Sequence, residues 1–126
     1  EYAAILVAHS KNFVIRNNIL ENIFFGILVE RSSGGRISGN KISSNATQQD
    51  NSGNGIHLFH SNEIKVSGNV VSSTRDGIYL EFASNSVISD NICKAQLPKE
   101  GKGRGEKKKE EREKRGERKQ EGREGM

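Results

Sequence analysis

The sequence is short of almost everything that staples or breaks a chain. There is one cysteine, Cys93, so no intramolecular disulfide can form and no four-ligand zinc knuckle can be built from thiolates. Pro98 is the only proline, and tryptophan is absent. No run approaches the ~18 apolar residues that a membrane-spanning helix requires. No basic start, apolar centre and small-residue cleavage site opens the sequence, so no signal peptide is expected in it. A surplus of one charge sign is also missing from most of the chain. The net charge of +4 resides after Pro98, where 12 Lys and Arg face 8 Glu, whereas residues 1–98 hold 8 basic and 8 acidic side chains. The basic balance therefore gives no reason to expect a nucleic-acid partner for the first 98 residues.

Pro98 also divides two compositions. After it, KEGKGRGEKKKEEREKRGERKQEGREGM contains no apolar residue before Met126. Such a segment buries nothing that could offset the entropy of ordering it. Residues 98–126 are expected to form a disordered or partly helical charged tail. The pairs Glu110–Lys114 and Glu111–Arg115 favour a transient helix, and Gly105, Gly116 and Gly122 oppose it. Interspersed glutamates and the lack of aromatic residues argue against nucleic-acid binding there as well.

Residues 1–97 are dominated by one motif written four times. AILV at Ala4, GILV at Gly26, GIHL at Gly55 and GIYL at Gly77 start copies spaced 22, 29 and 22 residues apart. A second marker, the last residue of RNN, SGN, SGN and SDN, falls at Asn18, Asn40, Asn69 and Asn91 with the same three spacings. Within each copy apolar residues alternate with period 2, as in strands that bury one face. Four columns result: Ile5, Ile27, Ile56, Ile78; Val7, Val29, Leu58, Leu80; Ile15, Ile37, Val66, Ile88; and Leu20, Ile42, Val71, Cys93.

Three short strands per ~22 residues, repeated in register, describe one turn of a parallel β-helix. The fold class is therefore all-β, a parallel solenoid of about four coils over residues 1–97. Coils stack ~4.8 Å apart, so like residues lie on like. The recurring asparagine is expected at a sharp turn, as a residue that tolerates left-handed backbone and whose amide bonds the next coil. Gly26, Gly55 and Gly77 fit tight starts to the first strand of each coil. The seven extra residues of the longer copy, Ala46–Ser52, must loop out from one corner. Open strand edges at both ends lead to the expectation of a marginally stable or edge-to-edge self-associating chain.

Chemistry-bearing residues are sparse. His57 takes an outward slot of a first strand, with Tyr79 above it in the next coil. His9 and His60 share a column but Arg31 separates them, and two coils, ~10 Å, is too far for one shared metal ion. Cys93 lies in a core column and reads as a buried, inert thiol. Glu30 and Glu81 share a column two coils apart with Phe59 between them. That separation is just conceivable against the ~5–9.5 Å of a glycosidase pair, but acidic residues on a solvated face are the simpler account, so no catalytic residue is assigned. Arg75 and Asp76, before Gly77, form either a corner ion pair or part of a ligand groove. The binding candidates are His57, Tyr79, Arg75, Asp76 and Glu81, and metal ligands are not identifiable.

The stretches NSGNGIHLFHSNEIKVSGNVVSSTRDGIYLEFASNSVISDN and NILENIFFGILVERSSGGRISGNKISSN resemble the β-helix domain of the NosD family, accessory proteins of nitrous oxide reductase maturation. The resemblance covers about residues 2–92. It implies a right-handed solenoid in the periplasm, partnership with ABC transporter subunits (the NosF ATPase and NosY permease), and copper delivery toward nitrous oxide reductase. The family is described as copper-binding, but no copper ligand carries over to a numbered position here. Its members are longer, with a signal peptide and more coils, so the chain reads as a fragment of such a protein. On this reading it is a non-enzymatic binding or scaffold module. The repeat itself is shared with carbohydrate-binding and polysaccharide-active β-helix proteins (lyases, hydrolases and epimerases), which is the alternative.

Overall fold

A computed structural model describes residues 3–97 and 123–124. Twelve short strands follow in sets of three. The first coil holds β1 (Ala3–Ala8), β2 (Val14–Arg16) and β3 (Ile19–Glu21). The second holds β4 (Phe25–Glu30), β5 (Ser33–Ser38) and β6 (Lys41–Ser43). The third holds β7 (Ile56–Phe59), β8 (Asn62–Ser67) and β9 (Val70–Ser72), and the fourth β10 (Ile78–Glu81), β11 (Val87–Ser89) and β12 (Ile92–Lys94). Equivalent strands pair in parallel, giving three sheets in the orders β1-β4-β7-β10, β2-β5-β8-β11 and β3-β6-β9-β12. A two-residue strand, β13 (Arg123–Glu124), adds antiparallel to β10 at the edge of the first sheet. The remainder of the expected tail lies outside the described residues.

The register reproduces all four apolar columns. Ile5 lies opposite Ile27, Ile27 opposite Ile56 and Ile56 opposite Ile78. The Val7, Ile15 and Leu20 columns are in register through all four coils too. These columns meet in one continuous core. Ile27, Val29, Ile37, Ile56, Leu58, Val66 and Val71 have no exposed surface, whereas Ile5, Val7 and Leu20 of the first coil are only partly covered. Cys93 is buried in its column, as its apolar neighbours require.

The asparagine corner, between the second and third sheets, divides two tasks that the sequence reading had placed on one residue. The left-handed backbone belongs to the preceding position: Asn17, Gly39, Gly68 and Asp90 have φ of 57°, 65°, 67° and 56°. The recurring asparagine itself forms the ladder. Asn40 N donates to Asn69 Oδ1 at 2.9 Å and Asn69 N to Asn91 Oδ1 at 2.9 Å, and the side-chain amides repeat the pattern at 2.9 Å. Their other protons reach inward to Ile15, Ile37 and Val66 carbonyls. A side chain that reaches carbonyls of the preceding coil while its neighbours continue the ladder satisfies backbone groups which a sharp turn would otherwise leave dry and unpaired.

At the corner between the first and second sheets, Ser10, Ser32 and Ser61 form a smaller ladder of the same kind, with Ala83 in the fourth place. At the third corner, backbones run so close that glycine is needed for space. A Cβ on Gly55 would stand 2.3 Å from Val71 Cγ1 and 2.7 Å from the Gly77 carbonyl oxygen. The extra residues of the second coil leave from this same corner, between β6 and β7. They include a short 3₁₀ turn at Gln49–Asn51, and Gln49 Nε2 donates to the Leu97 carbonyl at 3.4 Å.

Candidate functional site

The outer face of the first sheet collects most of the aromatic and imidazole groups. Strand alternation puts Ile56 and Leu58 inward and His57 and Phe59 outward on β7, and likewise Tyr79 and Glu81 on β10. The register then sets Leu6, Leu28, His57 and Tyr79 in one vertical column and Ala8, Glu30, Phe59 and Glu81 in the next. His9, Arg31, His60 and Phe82 turn the following corner, all with left-handed backbone.

His57 is the centre of this face. Its Nε2 lies 3.2 Å from Glu81 Oε1 and its Nδ1 3.3 Å from Asn54 Nδ2. A carboxylate only accepts, so Nε2 carries the proton, and the Nδ1 lone pair accepts from the Asn54 amide. Tyr79 meets the ring edge-on at 4.8 Å between centroids, and Phe25 closes the other side at 5.6 Å. The imidazole is thus clamped on four sides, and its side chain is only 13% exposed against 30% for Glu81. The alternation suggests a freely solvated histidine. Packing by Phe25 and Tyr79 makes it a largely buried one.

Burial holds the His57 pKa below its usual value, because the charged imidazolium would lose its water. The hydrogen bond and charge of Glu81 oppose this, followed by the charges of Asp76 and Glu30. Three carboxylates therefore surround a neutral histidine. Asn54 Oδ1 is buried without a hydrogen-bond partner among the described residues, a cost accepted so that the amide can point its NH₂ at the ring.

Of the five sequence candidates, His57, Tyr79 and Glu81 come together. Asp76 is buried at the preceding corner, where its backbone carbonyl accepts from Gly55 N and Thr74 Oγ1, and it reaches His57 through its charge. Arg75 is exposed beside it, with its backbone N–H donating to the Gly53 carbonyl. Sequence reasoning missed Asn54 and Phe25. Asn54 stands three residues before His57 in NGIH, a spacing that becomes a contact only once the chain turns at Gly55.

The neighbouring corner is aromatic too. His60 stacks on Phe82 at 4.7 Å with ring planes 13° apart, and the Arg31 guanidinium lies 5.4 Å from the Phe59 ring centre. Phe59 stands between Glu30 and Glu81 in the register, which leaves those carboxylates two rungs, ~10 Å, apart. Among the described residues, no three His, Cys, Asp or Glu side chains converge as a metal site would require, so copper ligands are not assigned. No helix among them is long and apolar enough to cross a membrane.

Comparison with known proteins agrees with this coiled architecture. The family described as the right-handed beta helix region matches residues 1–101. The chain belongs to that right-handed β-helix family. Over 77 residues it is 38% identical to the probable ABC transporter binding protein NosD of Pseudomonas aeruginosa, a match covering 60% of this chain and 18% of that protein. The chain thus spans under a fifth of the length of that NosD relative. No solved structure matches it. The handedness of the family fits the general rule that parallel crossovers wind to the right.

Proposed function

We propose that this β-helix is a recognition segment of a NosD-like accessory protein, non-enzymatic and periplasmic, that supports copper delivery for nitrous oxide reductase maturation. One observation carries the reading. The chemically active groups of the first sheet's outer face, His57 and Glu81, are consumed by each other and by Asn54, Tyr79 and Phe25. A catalytic acid or base must be free to exchange a proton with substrate. A rigid, flat, aromatic face is instead suited to holding a partner protein.

The NosD relative is named as an ABC transporter binding protein. On that basis the partners are the transporter's ATPase and permease subunits, NosF and NosY, together with the reductase. Copper is the cargo of that assembly.

The alternative, polysaccharide binding or cleavage, is favoured by the exposed rings and by the Glu30–Phe59–Glu81 column. Titrating Cu(I) and a panel of acidic polysaccharides into the full 126-residue chain separates the two. The accessory reading expects no polysaccharide turnover. Turnover that is lost in Glu81→Gln would reverse the order.

A further inference from the structure

The outer face of the third sheet, on the far side of the asparagine corner from the second, holds a shallow groove of ≈ 340 Å³. It is lined by a column in which Glu21, Ser43, Ser72 and Lys94 lie in register on four successive coils. Beside them Lys41 and Val70 form the second wall. A carboxylate thus stands at one end, an ammonium at the other, and two hydroxyls between. Three rungs of ~4.8 Å separate the charged ends by ~14 Å.

Among the described residues, none of these five polar side chains makes a hydrogen bond or ion pair. Glu21, Lys41 and Lys94 are exposed, and Ser43 and Ser72 are half-buried on the groove floor. The contrast with the first sheet is sharp, since His57 and Glu81 there are fully engaged. A simple anion would be repelled at the Glu21 end and a simple cation at the Lys94 end. The match is a linear molecule with opposite charges at its two ends.

We propose that this groove binds an extended peptide stretch of about four residues, which at ~3.4 Å per residue spans the same ~14 Å, with its amino group at Glu21 and its carboxylate at Lys94. The two serine hydroxyls meet main-chain amides of the peptide. Lys41, one coil from Glu21, takes an acidic side chain at the second peptide position.

The test is an amide chemical-shift titration of the full chain with tetraglycine carrying free ends. The expected binding is weak, roughly millimolar, as exposed ion pairs allow, with shifts confined to β3, β6, β9 and β12. N-acetylated, C-amidated tetraglycine should lose it. Glu21→Lys or Lys94→Glu alone should weaken it roughly tenfold. The double swap E21K/K94E should recover affinity, because the peptide simply binds the other way round. Gly-Asp-Gly-Gly should bind more tightly than tetraglycine, and Lys41→Gln should abolish the difference. Equal shifts from the capped peptide, indifference to charge reversal, or no shifts at about 20 mM peptide would each overturn the assignment.

Discussion

Replacing Asn69 by alanine is the most demanding test of how this solenoid is held together. Asn69 is fully buried in the third coil. Its Oδ1 accepts from both Asn40 N and Asn40 Nδ2 at 2.9 Å. Its Nδ2 faces the Ile37 and Ser67 carbonyls at 3.1 and 3.2 Å and Asn91 Oδ1 at 2.9 Å. An amide has two protons, so at most four of these five contacts are good hydrogen bonds at once. At about 1 kcal/mol net for each, the bonds alone contribute ~4 kcal/mol. For the buried Asn40 N–H, left without its acceptor, the share is ~1–3 kcal/mol rather than the average.

Asn18 is the control on the same ladder. It is half-buried at the first coil, and its side chain only donates, to the Arg16 carbonyl and Asn40 Oδ1. Asn18→Ala should cost ~1 kcal/mol, because Asn40 Oδ1 keeps the Asn18 backbone donor. Urea unfolding followed by far-ultraviolet circular dichroism reads both changes as midpoint shifts at constant slope. Asn69→Ala should lower stability by ~4 kcal/mol or more, or leave the chain unfolded without denaturant, while Asn18→Ala stays folded. Equal losses for the two variants would refute the idea that the ladder is an energetic spine.

Three further outcomes follow from the structure. Gly68→Asn should be close to neutral in the same unfolding assay, since Asn17 and Asp90 already hold the equivalent left-handed position and nothing lies nearer than 3.8 Å to the new Cβ. Gly55→Ala should cost ~1–3 kcal/mol, because its Cβ would overlap Val71 and the Gly77 backbone. For His57, the lowered folded-state pKa means that the unfolded chain takes up the proton first as pH falls through the ordinary histidine value of 6.5. Stability is therefore complete above that value and declines as pH drops toward the folded pKa, where the loss levels off. His57→Gln should flatten this part of the pH–stability curve, which urea midpoints from neutral to mildly acidic pH will show.

Much of the fold was open to inspection in the primary structure, and the reason is specific. A parallel ladder whose one insertion loops out at a corner keeps its strands in phase, so the 22-, 29- and 22-residue intervals between Asn18, Asn40, Asn69 and Asn91 also fix which residue stacks on which. Period-2 alternation then assigns inside and outside, which is why the spacing alone pairs Cys93 with Val71. The vertical neighbour of His57 was legible for the same reason.

Lateral and diagonal relations were not. Nothing in the repeat says that Glu81, two positions along from Tyr79, bends back to His57, or that Asn54 and Phe25 close over the ring from a corner and from the coil below. Nor does it say that left-handed backbone falls one residue before the ladder asparagine. These depend on how far each corner turns and on which side chains fill the space left there. The column order followed from chain periodicity alone, because stacking in a solenoid is a one-dimensional property. The burial of His57, its proton on Nε2 and the dipolar groove of the third sheet were decided by packing across columns, where distance in space bears no relation to distance along the chain.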